Sequence, residues 1–536
     1  MRMQFPVPGN WIRGTGLVIA GVLVLAACLS GVMAAPASAQ VPLPRIDGLL
    51  PDNGPVGTTV AIVGENFGGR ALLSRVTFNG VEAIPLTWSD ALITARVPRG
   101  ATTGPVVVTV LGVLPSNAVE FTVTDPPEPS NRWYLAEGCT DHGFETFITM
   151  QNSGALDATA GMVLNTARFG RIPVPARFNL PAGSRTTVRL NDFLPGADVS
   201  TIVESTQPIV CERTTYWNNR LEGHESVGVP ETSRTWYLAE GSTAHGFETW
   251  IAIQNPAASP ATVNITYLTS SGKVERAPLV IGAGSRATVA AALDVGACDV
   301  SAVVESDIPV VCERSMYWDS RRGGHSSIGA VGGSRSWFLA EGSTAHGFET
   351  WVVLQNPGWE IADVQVTYMT GEGPMPEPVF SMGPYSRHAI LVNDRLPGRD
   401  VSIRVESDVE IIAERAMYWN NGTGRAGHGT IASPHTSGEI HFAEGSTAWG
   451  FETFVCVQNP TEQQASASVI FLTGEGPVPG PVLVLEPGSR ATLDLNQYIP
   501  DRDVAVVLKS GVPLMAERSM YWHARGGGHV SIGFME

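Results

Sequence analysis

Four of the five Glu-Arg dipeptides in this sequence share one context: Glu212-Arg213, Glu313-Arg314, Glu414-Arg415 and Glu517-Arg518. Each is followed by Tyr-Trp and then by Gly-His, with histidines His224, His325, His428 and His529. Upstream of each lie an Ala-Glu-Gly run (Glu137, Glu240, Glu341, Glu444) and a Gly-Phe-Glu-Thr run (Glu145, Glu248, Glu349, Glu452). Carboxylates and imidazoles are the groups that move protons in hydrolysis and hold metals, and guanidiniums bind the anions that form. Glu137 and Glu145 could serve as the two carboxyls of a glycosidase. Histidine with glutamate could hold zinc. Yet no His-x-x-x-His or Cys-x-x-Cys spacing occurs, and no Gly-x-Ser-x-Gly run marks a serine nucleophile. Four identical active sites in tandem would also be unusual. No catalytic residue, metal site or cofactor is assigned on this pattern.

Two other roles fit the recurring residues. In a strand, neighbouring side chains point to opposite faces, so each Glu-Arg pair puts a charge on each face, and such charges need partners. Arg213, Arg314, Arg415 and Arg518 are expected to be partly buried in structural ion pairs within their own repeats. The expected partners are Glu137, Glu240, Glu341 and Glu444, or the glutamates of Gly-Phe-Glu-Thr. Along that second run, one face carries a carboxylate, a ring and a carboxamide: Glu145, Phe147, Gln151; Glu248, Trp250, Gln254; Glu349, Trp351, Gln355; Glu452, Phe454, Gln458. A ring to stack on and polar groups for hydroxyls would suit a sugar. The alternative is a stripe covered by another strand or by the neighbouring repeat.

The elements that must position these residues are themselves repeated. The Ala-Glu-Gly glutamates are 103, 101 and 103 residues apart. That period is too long for a solenoid unit and fits a small domain repeated like beads. In the second copy, strands are expected at Trp236–Gly241, Phe247–Gln254, Val263–Leu268, Val274–Ile281, Arg286–Ala291, Val300–Glu305, Val310–Trp318 and His325–Ile328, separated by Gly or Pro clusters. Phe247, Thr249, Ile251 and Ile253, with Val263, Ile265 and Tyr267, read as core faces.

Ahead of the repeats, residues 41–124 show short alternating strands and turn signals, among them Asn79-Gly80 between Val76-Thr77-Phe78 and Val81. With Gly54-Pro55-Val56-Gly57-Thr58, Gly64-Glu65-Asn66-Phe67-Gly68 and Trp88-Ser89-Asp90, this segment resembles the IPT/TIG family, which implies an immunoglobulin-like sandwich. The run Gln254-Asn255-Pro256, the following strand and Gly284-Ser285-Arg286 resemble bacterial immunoglobulin-like modules. Whole repeats resemble the Trp-Tyr-Leu-Ala-Glu-Gly-Ser-Thr repeats of secreted actinobacterial proteins, for which the resemblance implies no activity. The expected fold class is all-β, with five tandem immunoglobulin-like sandwiches: the IPT/TIG domain at 41–124, a Pro-rich linker at 125–132, and repeats at 133–233, 234–334, 335–437 and 438–536.

The N-terminus reads as an export signal at 1–39. Arg2 and Arg13 precede an apolar stretch, and Ala37-Ser38-Ala39 offers cleavage after Ala39. Leu25-Ala26-Ala27-Cys28 is a competing lipobox that would lipidate Cys28, and retention of the apolar stretch as an anchor is a third reading. No other segment is expected to span a membrane, and no C-terminal tail or wall anchor is expected after Glu536. Net charge is −17, which argues against nucleic acid. Beyond Cys28 the cysteines are Cys139, Cys211, Cys298, Cys312 and Cys456. Pairs 139–211 and 298–312 are conceivable in an exported chain, against a reading of Cys211 and Cys312 as small buried apolar residues. These features point to a secreted or surface-held, non-catalytic binding or adhesion protein whose partner is an envelope glycan or protein. A carbohydrate-binding array is the first alternative, and a hydrolase with its site between modules the second.

Overall fold

The computed structural model describes residues 43–54, 58–70, 74–83, 85–98, 101–110, 114–123, 130–420, 422 and 424–535. The segment expected to be an export signal, with Cys28 and Ala39, and the expected linker residues up to 129 lie outside them. The regular structure of the described chain is almost all β-strand, in two compact units, residues 1–124 and 125–536. No described helix is long and apolar enough to cross a membrane.

The first unit is a two-sheet sandwich. Arg45–Leu50, Thr59–Glu65, Leu92–Arg96 and Pro85–Trp88 form one sheet. The other is built on Val119–Val123, Gly104–Val110, Arg75–Phe78 and Val81–Ala83. Val60, Ile62, Val76, Phe78, Val106 and Phe121 fill the space between. Phe78 pairs with Val81 across Asn79-Gly80, whose φ angles of 44° and 84° are those of a tight hairpin turn.

In the second unit each repeat builds its own sheets. In the second repeat the strands are Ser233–Leu238, Glu248–Asn255, Ala261–Thr269, Gly272–Glu275, Leu279–Ile281, Ser285–Ala290, Val300–Trp318 and Gly323–Ile328. Two expected strands are one continuous 19-residue strand, Val300–Trp318. Its first half pairs with Ala261–Thr269 and Ser233–Leu238; its second half pairs with Glu248–Asn255 and Gly323–Ile328. Pro309 falls between the two sets of partners, where its missing N–H costs no ladder bond. The strand thus bends from one sheet into the other. Ile251, Ile253, Val263, Ile265, Tyr267 and Trp236 are buried between the sheets, on the faces expected to be core.

The repeats are not beads. Their closing strands, Glu222–Val227, Gly323–Ile328, Arg425–Ile431 and Gly527–Ile532, pack against one another in succession, and the last packs against the first. The four repeats therefore form a closed ring. The reason lies on the second face of each sheet, whose apolar groups are buried against a neighbour and whose charges find their partners there.

Candidate functional site: the junctions between repeats

Each junction is built from the recurring residues. Arg213 of repeat one lies 2.8 Å from Glu313 of repeat two, and Arg314 lies 2.9 Å from Glu414 of repeat three. Arg415 pairs with Glu517 of repeat four, and Arg518 lies 3.2 Å from Glu212, which closes the ring. All eight side chains are fully buried. The same glutamates accept backbone N–H bonds from the preceding repeat's Ala-Glu-Gly run: Ala136 N to Glu313 at 2.7 Å, Ala239 N to Glu414 at 2.8 Å, Ala340 N to Glu517 at 2.8 Å and Ala443 N to Glu212 at 3.0 Å.

The expected arginine partners need correcting. Glu137 and Glu341 do meet the arginines of their own repeats, at 2.7 Å from Arg213 and 2.8 Å from Arg415. Glu240 and Glu444 instead face arginines of the next repeat, Arg387 at 3.6 Å and Arg185 at 2.8 Å. The Gly-Phe-Glu-Thr carboxylates are not partners of these arginines. Glu145 pairs with Arg189 and Arg220, Glu248 with Arg321, Glu349 with Arg425 and Glu452 with Arg525. Burial pushes Glu137 and Glu240 above the usual carboxylate range, against the pull of Arg213 on the first and of Arg387 on the second.

The stripe offered as a ligand face is mostly a junction surface. Gln151, Gln254, Gln355 and Gln458 are fully buried. Each donates to a carbonyl of the preceding repeat: Val506, Thr201, Ala302 and Ile403 respectively. Of the rings, Phe147, Trp250 and Phe454 are half-buried under Arg220, Arg321 and Arg525, whose guanidiniums lie 5.4, 5.7 and 5.9 Å from the ring centres. Trp351 packs half-buried against Trp318 and Tyr418. Only the Glu-and-ring end of the stripe reaches the surface.

Aromatic residues complete each joint. Trp217 Nε1 donates to Arg321 O and Trp318 Nε1 to Arg425 O, both at 2.7 Å, while Trp419 and Trp522 reach Arg525 O and Leu221 O. His224, His325 and His428 lie 3.1, 3.4 and 3.1 Å from the hydroxyls of Tyr317, Tyr418 and Tyr521 in the next repeat. Burial, then the charge of Arg213, holds His224 well below the ordinary histidine value; burial and Arg314 do so for His325. The glycines before each histidine make room for the rings: a Cβ on Gly323 would come 2.3 Å from Trp318, and one on Gly324 2.7 Å from Tyr317.

Arg185, Arg286, Arg387 and Arg490 were missed as joint residues, although Gly/Tyr-Ser-Arg recurs in every repeat. They cross each junction to Asp503, Asp198, Asp299 and Asp400 at 3.8, 3.8, 3.3 and 3.9 Å. Between repeats three and four, Arg490, Asp400, Arg399, Glu372, Thr370 and Thr492 line an open polar groove of about 410 Å³. The five described cysteines are free, so neither conceivable disulfide is formed; Cys211 and Cys312 are fully buried. Among the described residues no group of three or more His, Cys, Asp or Glu is placed to hold a metal.

Residues 44–123 match the IPT/TIG domain family. They form an IPT/TIG domain. No curated protein sequence matches the chain. Among solved structures, Thermotoga maritima 1070 is 18% identical, over 19% of this chain and 94% of that one, with a TM-score of 0.18. The Anabaena sensory rhodopsin transducer is 23% identical, over 17% of this chain and 99% of that one, with a TM-score of 0.15. Escherichia coli alpha-2-macroglobulin is 9% identical, over 90% of this chain and 51% of that one, with a TM-score of 0.16. At these scores the likenesses carry no functional argument.

Proposed function

We propose that this chain is an exported, non-catalytic binding protein of the bacterial envelope, in which an IPT/TIG domain is joined to a rigid ring that displays four copies of one surface. The observation that carries this reading is the engagement of the recurring Glu, Arg, Gln and His side chains with neighbouring repeats. Groups held in fully buried pairs serve architecture, and four copies of an outer surface on one body favour avid attachment through weak contacts. The partner is an envelope glycan or protein. Retention of the mature protein on isolated envelopes, with N-terminal sequencing of the exported form, tests the reading. Mature protein that stays wholly in the supernatant, or a chain recovered only from cytoplasm, refutes it.

The carbohydrate reading survives in a different place. The groove at Arg490 and Asp400 supports it, because Asp400 is exposed and lies 3.9 Å from Arg490, too far for a hydrogen bond. Asp can accept from sugar hydroxyls and Arg can donate to them, whereas the paired charges of the groove leave little net attraction for an ion. Asp400→Ala should lower retention on purified peptidoglycan while leaving melting unchanged. Unaltered retention would remove the groove from consideration.

A further inference from the structure

One junction differs from the other three. The residue after the buried histidine is Glu225 in repeat one, and Ser326, Gly429 and Val530 in the others. Glu225 is buried in the joint between repeats four and one. It bonds Arg518 Nη2, the same nitrogen that lies 3.2 Å from Glu212, and its other oxygen lies 2.8 Å from His529 Nδ1. At the other joints two arginines face two buried glutamates: Arg213 and Arg286 with Glu137 and Glu313, Arg314 and Arg387 with Glu240 and Glu414, Arg415 and Arg490 with Glu341 and Glu517. At the closing joint Arg518 and Arg185 face three: Glu212, Glu225 and Glu444. The half-exposed aspartates are common to all four. A buried excess of one negative charge is expensive, and a carboxyl in such a place takes up a proton instead.

We propose that the closing joint is a proton-dependent clasp: Glu212 and Glu225 share one proton across the fourth and first repeats, and the ring loosens there first when that proton leaves. Burial, then the neighbouring Glu225, holds Glu212 well above the usual carboxylate range. Burial opposes ionisation of Glu225 too, but the charge of Arg518, with hydrogen bonds from Glu212 and His529, outweighs it and holds Glu225 below that range. The proton therefore sits on Glu212. The other groups facing the pair do not supply a charge. Burial raises the Tyr216 hydroxyl and lowers His529 and His224, so all three stay neutral near pH 7. Glu444 pairs with Arg185 at 2.8 Å, and Arg213 is turned to Glu313. A group with raised proton affinity in the folded state stabilises it below the unfolded pKa, and that contribution is lost as pH rises through the folded pKa. The clasp weakens on the alkaline side. Acid acts elsewhere as well, through His224 and His325 at other joints, and does not single out this one.

Hydrogen exchange followed by mass spectrometry on the full chain tests this, with the pseudo-repeats as internal controls. From about pH 6 to about pH 9, corrected for intrinsic exchange, segments 222–227 and 527–532 should lose about tenfold more protection than 323–328 and 425–431, the effect of roughly one pKa unit of linkage. Glu225→Ser, which installs the residue of repeat two, should abolish the difference. Glu225→Gln, which keeps the shape without the ionisable group, should do the same if the serine variant fails to fold. Equal loss at all four segments, or a pH difference that survives these substitutions, overturns the proposal.

Discussion

Replacing Arg314 with alanine isolates one joint of the ring. Arg314 and Glu414 are both fully buried and 2.9 Å apart, and Glu414 also accepts from Ala239 N at 2.8 Å. The substitution leaves Glu414 buried with one backbone donor and no cation. Breaking a buried pair from one side costs about 3–5 kcal/mol. With an unfolding entropy of about 2 cal/mol/K per residue, a cooperative unit of about 400 residues has a total near 0.8 kcal/mol/K, so the melt should fall by roughly 4–6 °C. Glu414→Gln removes the charge while keeping a hydrogen-bonding shape, and it should cost less. The double variant should cost less than the sum of the singles, because the two groups share one interaction. Scanning calorimetry of the full chain measures all three, with exposed Arg335→Ala as the control that should not move. If Arg314→Ala melts with the wild type and alters only ligand binding, Arg314 is a recognition residue and the joint has been misread. If the double equals the sum, the two groups do not act together.

Three further outcomes follow from the same contacts. A protease site inserted at exposed Val331-Gly332 should let the chain be cut without dissociation, so the halves co-elute on gel filtration; separate peaks would show that the joints cannot hold the ring. Trp318→Ala should cost about 3–5 kcal/mol, as large core truncations do, and Trp318→Phe about 1 kcal/mol for the lost bond to Arg425 O, read by urea melts; a neutral Trp318→Ala would contradict the burial. Burial keeps His224 and His325 from protonating in the ring, while the unfolded chain takes up those protons. Stability should therefore be fully present above the ordinary histidine value and fall as pH drops below about 6.5; a flat profile from pH 7 to 5 would show the histidines exchange protons freely.

Much of this was legible in the residues. Period-two alternation placed Ile251, Ile253, Val263 and Ile265 in the core, and the Asn79-Gly80 turn marked its hairpin. Pro309 misled, because a proline in a strand reads as a break unless the strand changes sheets at that point. The joints were legible as constraint but not as geometry. Arginines kept while their neighbours drift from Cys to Ala signal buried partners. A single sequence offers the same Glu in every copy, however, so nothing distinguishes a partner in one's own repeat from the same residue a repeat away. The glutamine stripe was ambiguous for a related reason: an outward face on one repeat is an inward face once a neighbour covers it.

The adjacency of Glu and Arg explains why the assembly is a ring and not a string. Neighbouring residues in a strand point to opposite faces. Glu313 therefore reaches back to Arg213, while Arg314 reaches forward to Glu414. One dipeptide makes each repeat a socket for the copy before it and a plug for the copy after it. Such head-to-tail contacts are heterologous: they run on as a filament unless the rotation closes. Here the rotation closes at four, with Arg518 reaching Glu212, and the chain supplies all four copies itself. The only joint that no linker enforces is the one between the last repeat and the first. Its closure depends on non-covalent contacts alone, and that is the joint at which the sequence places Glu225.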